Sequence, residues 1–181
     1  VLSTLLALRD EGTELPANAI VLSPLADLTY TGGSREFNKK ADPMLPTHRA
    51  SQMHELYLGE ASKKDRFVSP IFADFDGFPP LLGMVGSTEI LLDDTVRAAA
   101  QAEKASVPFY LEIWDEMIHV FPMFTILPES LVAVDRIGSF INNSELDKVP
   151  SEYGSSSYNP PKQDSCKWLP RRMLEGPAQT L

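Results

Sequence analysis

The stretch Pro79–His119, PPLLGMVGSTEILLDDTVRAAAQAEKASVPFYLEIWDEMIH, decides the fold. Leu81–Val85 is a short apolar run closed by Gly86-Ser87, the pattern of a strand buried on both faces. Glu89 follows at once. Asp93, Asp94 and Thr95 then open a helical pattern, with Leu92, Val96 and Ala100 on one stripe. Acidic residues in a first turn suit the helix dipole. Pro108–Trp114 supplies a second strand, and the loop after it carries His119. Two successive parallel strands joined by a helix make a right-handed crossover, so both end at the same edge of the sheet. Glu89 and His119, distant in sequence, thereby meet at the carboxyl edge, where open α/β sheets put their sites. An acid beside an imidazole orients and charges a general base for a nucleophile. Taken singly, each residue has a plainer reading, as a helix cap and as a solvated loop histidine.

Outward from this unit, Val1–Asp10 reads as a helix with few faces left for solvent, ended by Glu11-Gly12. Ala19–Leu22 is a buried strand, broken by Ser23-Pro24. Asp27 lies past it at the same edge. It is an alternative acid for His119, but the preferred reading is an anchor for its own turn. Thr31–Leu45 is loop, and a helical pattern starts at about Ala50, with Met53, Leu56 and Tyr57 on one stripe. His48 and His54 have no second ligand at i+4, which speaks against zinc. Pro128–Ile141 reads as a helix with Leu131, Val134, Ile137 and Ile141 as its buried face. Beyond Asn142, SELDKVPSEYGSSSYNPPKQDS is rich in Ser, Pro, Asn and charge without apolar period. Residues 143–181 therefore read as a flexible extension of a domain spanning 1–142.

Several segments together resemble one family. SPLADLTYTGGS (Ser23–Ser34), ADPML (Ala41–Leu45), SPIFADFDGFPPLLGMVGSTEILLDD (Ser69–Asp94) and Met117–Phe121 resemble the hormone-sensitive-lipase family of α/β-hydrolases, the bacterial family IV esterases. The resemblance runs from Val1 to about Asn142. It implies an α/β fold with a mostly parallel sheet and flanking helices. It also implies hydrolysis of short- to medium-chain carboxylic esters by a serine, histidine and acid. In that family the acid opens an acidic motif, here Glu89–Asp93, and the histidine precedes an apolar pair, here Val120-Phe121. By the resemblance Glu89 and His119 are the catalytic pair, and no metal or organic cofactor is required. A non-catalytic receptor or interaction scaffold on the same fold is the alternative.

The departures matter as much. No G-x-S-x-G and no HGGG-type segment occurs in the chain, so neither a nucleophile elbow nor an oxyanion loop is visible. In the family both lie upstream of the region that starts at Val1, and VLSTLLALRDEG resembles the helix following the elbow. The expectation is the C-terminal half of an esterase domain, whose partner is the N-terminal half and whose substrate is a small ester. A homodimer through the strand near Pro108–Trp114 is also open by resemblance.

Composition narrows the field further. A formal charge of −9 argues against nucleic acid and against anionic membrane as partners. No apolar run reaches spanning length, so no transmembrane helix is expected, and no signal peptide is visible at Val1; a chain that resembles a fragment leaves the compartment open, with the cytoplasm favoured. Cys166 is the single cysteine, so no internal disulfide can form.

Overall fold

The computed structural model of the chain describes residues 1–45 and 57–147. Within them lie three parallel strands, β1 (Ala19–Leu22), β2 (Leu81–Gly86) and β3 (Phe109–Trp114), in the order β1-β2-β3. Leu81 pairs with Ala19 on one side and with Phe109 on the other, and the register continues to Gly86 opposite Trp114. All six residues of β2 are buried, as a strand covered on both faces requires. Pro108 has no N–H to give the ladder, but its carbonyl accepts from Leu81 N at 2.9 Å. Strand β3 therefore starts one residue later than the sequence pattern suggests.

Among the described residues, the helices that flank the sheet are α1 (Leu2–Asp10), the short α2 (Ser34–Phe37), α3 (Leu92–Lys104) and α4 (Pro128–Asn143). Alternation along β2 sends its side chains into two layers. Leu81 joins Leu2, Leu6, Phe75, Ala98 and Ala102, which brings α1 and α3 to one face. Leu82 and Met84 join Trp114, Phe121, Ala133 and Phe140, which brings α4 to the other. The stripe Leu92, Val96 and Ala100 on α3 is buried as its spacing predicts.

On α4 the buried face is not the one the sequence suggests. Leu131, Val134 and Ile141 are exposed, at 55%, 45% and 57%, while Ser130, Ala133 and Phe140 are buried. Two apolar stripes overlap on this helix, share Ile137, and differ by one residue step of about 100°. Periodicity cannot choose between them; contacts do. The Ser130 hydroxyl donates to the Phe121 carbonyl at 2.6 Å, and Phe140 meets the Tyr110 ring edge-on at 5.6 Å. Arg136 Nε donates to the buried Glu112 carboxylate of β3 at 2.7 Å, and Glu112 also accepts from Trp114 Nε1. Asn18 Nδ2, just before β1, donates to the last carbonyls of α4, Phe140 and Ile141. Leu146 packs against the same layer, so the described chain stays on the domain a little past Asn142.

These contacts predict opposite outcomes for two apolar truncations on α4. Phe140→Ala is expected to cost about 3–5 kcal/mol. Val134→Ala is expected to stay within about 0.5 kcal/mol. Urea unfolding of the two variants measures the difference, and equal losses would mean that the helix is rotated from this orientation.

Candidate active site

Two segments leave the carboxyl edge of the sheet and are stapled together. The first is the turn after β2, where Glu89 N donates to the Gly86 carbonyl at 3.3 Å. The second is the loop after β3 that holds His119. Ser87 N donates to the Trp114 carbonyl at 2.8 Å, and Ser87 Oγ accepts from Glu116 N at 2.8 Å. Thr88 Oγ1 donates to the Met117 carbonyl at 2.7 Å. Gly86 is needed because the loops touch there: a Cβ at this position would lie 1.9 Å from the Met117 carbonyl oxygen.

From behind, the turn is held by an excursion between β1 and β2. Asn38 Nδ2 donates to the carbonyls of Ser87 (2.8 Å) and Glu89 (2.9 Å), and Asp42 Oδ2 accepts from Ile90 N at 2.9 Å. With its backbone so fixed, the Glu89 side chain folds back towards the strand. Oε1 accepts from Gly86 N at 2.6 Å and from the Ser23 hydroxyl at 2.7 Å. Oε2 lies 3.0 Å from His119 Nδ1. Glu89 is fully buried, whereas the His119 side chain keeps 22% of its surface. One face of the imidazole site is thus walled by protein and the other is open.

The remaining acids at this edge do other work. Asp27 accepts from the backbone and hydroxyl of both Thr29 and Thr31 and from Arg97 Nη1 at 2.6 Å. This is the turn anchor the sequence suggests. Burial pushes its carboxyl up, but the bonds from Thr29, Thr31 and Arg97 outweigh that and hold it at about 2. Asp93 sits inside the first turn of α3, and its carboxylate accepts from Ser34 N at 3.0 Å. That bond ties α2 to α3. Asp94 is fully buried and accepts from Ala26 N and Asp27 N, each at 2.9 Å. Burial raises its carboxyl to about 6, against the pull of the Arg35 guanidinium 4.0 Å away and of the two amides. Arg35 itself stacks on the Tyr30 ring at 4.1 Å.

Sequence reasoning brought Glu89 and His119 to one edge and missed what holds them. Ser23 reads only as the residue that ends β1, and Asn38 and Asp42 sit in a stretch without periodicity. The signal for Ser23 was its place, a hydroxyl at the carboxyl end of a strand. A surface hollow between α3 and the turn at Pro70–Phe72, lined by Ile71, Arg97, Gln101 and Lys104, includes no residue of the Glu89–His119 cluster. Among the described residues no group of three His, Cys, Asp or Glu side chains is placed to hold a metal ion. None of their helices is long and apolar enough to cross a membrane. His48, His54, Cys166 and most of the 143–181 segment lie outside the described residues.

Comparison with known proteins identifies the family and the fold. The family described as alpha/beta hydrolase fold matches residues 1–123. An acetyl-hydrolase of Streptomyces hygroscopicus is 39% identical over 143 residues, covering 78% of this chain and 48% of that protein. An esterase of Acinetobacter venetianus is 38% identical over 144 residues, with the same coverage of 78% and 48%. Among solved structures, the esterase EstE5 superposes with a TM-score of 0.77 at 43% identity, covering 78% of this chain and 48% of that one. An esterase of the bacterial hormone-sensitive lipase family follows at a TM-score of 0.75 and 42% identity, covering 77% and 48%. The chain belongs to the alpha/beta hydrolase fold family, in its hormone-sensitive-lipase branch. It spans about half the length of the curated relatives it matches.

The two buried aspartates predict pH effects of opposite sign. Folded Asp94 holds its proton more tightly than the ordinary aspartate at 3.8, so its contribution to stability is present below about 4 and is lost as pH rises through about 6. Folded Asp27 holds its proton less tightly, so its contribution is present above about 4 and is lost as pH falls towards about 2. Urea midpoints followed across this range should lose the upper slope in Asp94→Asn and the lower one in Asp27→Asn. An Asp94→Asn profile identical to the parent's would mean that Asp94 does not titrate in this window.

Proposed function

We propose that this chain supplies the acid and the base of a serine carboxylesterase. The observation that carries the reading is the 3.0 Å contact between His119 Nδ1 and the buried Glu89 carboxylate at the carboxyl edge of a parallel sheet. With Glu89 ionised, Nδ1 carries the proton and Nε2 is the basic nitrogen. Nε2 accepts the proton of a serine as it attacks the ester carbonyl, then returns it to the leaving alcohol. Glu89 keeps the ring in that tautomer and stabilises the imidazolium that forms. The same sequence with water in place of the serine frees the acid and restores the enzyme.

The serine and the oxyanion donors come, on this reading, from a segment preceding Val1 in the complete protein. Among the described residues β1 is paired on one side only, by β2, and α1 packs beside it. The open edge of β1 is where a preceding parallel strand can add, bringing its own carboxyl end beside His119. The substrate class is a small carboxylic ester, in keeping with relatives named acetyl-hydrolase and esterase.

Two substitutions separate the acid from its neighbour. In the complete protein Glu89→Gln should lower kcat by about 10³–10⁴ with the fold retained, because the ring loses its orientation and its counter-charge. Asp93→Asn should leave kcat near the parent value and cost about 0.5–1.5 kcal/mol through the weakened bond to Ser34. Hydrolysis of a short-chain nitrophenyl ester and a thermal melt, run on both variants, decide the matter. Loss of turnover in a folded Asp93→Asn protein, with Glu89→Gln still active, would overturn the assignment. The chain of residues 1–181 alone should show no turnover sensitive to a serine-directed phosphonate; such turnover would mean that one of its own serines is the nucleophile.

A further inference from the structure

We infer that Ser23 is a positioning residue that locks the Glu89 carboxylate and the His119 loop into one unit; this rests on the reading of Glu89 and His119 as acid and base. Three observations converge on it. The Ser23 hydroxyl has one proton, and it goes to Glu89 Oε1 at 2.7 Å. The same oxygen accepts the backbone N–H of Val120, the residue after His119, at 3.0 Å. One atom therefore bridges the acid and the histidine loop, from a third strand end that touches neither segment in sequence.

The backbone on both sides of this bridge is held in an unusual form. Ser23 has φ 47° and Val120 has φ 48°, both left-handed. For a β-branched residue such as Val120 this conformation is a genuine outlier and persists only where surroundings over-determine it. The bond from Val120 N to Ser23 holds the loop at this residue, beyond the staples at Glu116 and Met117. Ser23 is itself 4% exposed, so no water competes freely for either bond.

The consequence for the carboxylate is directional. Gly86 N and Ser23 Oγ both donate to Oε1, which fixes the rotation of the carboxylate about its last bond. Oε2 is left for the imidazole. Without the hydroxyl, Oε1 keeps a single donor, Val120 N loses its acceptor, and the distance between Oε2 and Nδ1 is no longer set from both sides. Small misplacements of this kind act on the chemical step more than on substrate binding.

The test uses Ser23→Gly in the complete protein, with Ser23→Ala beside it. Glycine accepts the positive φ without strain, so this variant removes the hydroxyl while easing the backbone. The expected result is a fall in kcat of about 10- to 100-fold with KM unchanged. The downfield Nδ1–H proton resonance of His119 should broaden or vanish, a change that a loss of stability alone would not produce. Alanine keeps the native strain and should show the same split between kcat and KM if glycine proves poorly folded. Parent-like kcat and an unchanged His119 resonance in either folded variant would sink the proposal, provided Glu89→Gln is inactive in the same assay. A fully active Glu89→Gln protein would remove the underlying assignment, and the role of Ser23 with it.

Discussion

A buried carboxylate governs this half-sheet. Glu89 has no exposed surface, and an ionised group taken out of water is costly unless its oxygens are matched by donors. Three donors or partners do so: Gly86 N, the Ser23 hydroxyl and His119 Nδ1. Each comes from the end of a different strand, β2, β1 and β3 in turn. The parallel topology is thus a requirement of the site, since only strands that end together can surround one side chain. Gly86 follows from the same demand, because the loops must approach closely enough that a methyl group would collide with the Met117 carbonyl.

A second layer of charge supports the first without entering it. Asp27 and Asp94 are both fully buried, yet they are driven in opposite directions. Asp27 has five donors within bonding distance, one of them an arginine, so its charged form is held firmly. Asp94 has two amides, and its arginine stands off at 4.0 Å. Number and distance of donors, not depth, separate the two. Both bind the loop that follows Ser23, so the loop bearing the Ser23 bridge is fastened at its far end to α3. Charges here act as rivets between segments that share no secondary structure.

Much of this could be read from residues alone, and the reasons for success and failure are physical. β2 and α3 are legible because an apolar run bounded by Gly-Ser and an alanine-rich period with acids at its start each admit one reading. The proximity of Glu89 to His119 is legible because a crossover has one hand. The buried side of α4 is not, since Leu131-Val134 and Ser130-Ala133-Phe140 both keep helical spacing. The small residues win because they let the helix approach β3, where Glu112 and Tyr110 receive Arg136 and Phe140. Asp93 shows the same limit: an acid in a first turn suits the helix dipole, but its bond from the backbone N–H of Ser34, distant in sequence, leaves no mark in the spacing. Contacts between residues far apart, Ser23 with Val120 and Asn38 with Glu89, leave no periodic trace.

The choice of a glutamate at position 89 follows from the geometry of the turn. Its backbone N–H bonds back to the Gly86 carbonyl while its side chain bonds back to the Gly86 N–H, closing the turn from both ends. The same carboxylate must still present its second oxygen to the next strand's loop. An aspartate on this backbone would be shorter by about 1.5 Å, one carbon–carbon bond. It could close the turn or meet the imidazole, but doing both would require the turn to advance towards β3. Gly86 leaves no slack for that advance, because the turn already touches the Met117 carbonyl. Reach of the side chain, tightness of the turn and closeness of the two loops are therefore one constraint, and the position of the imidazole is set by it.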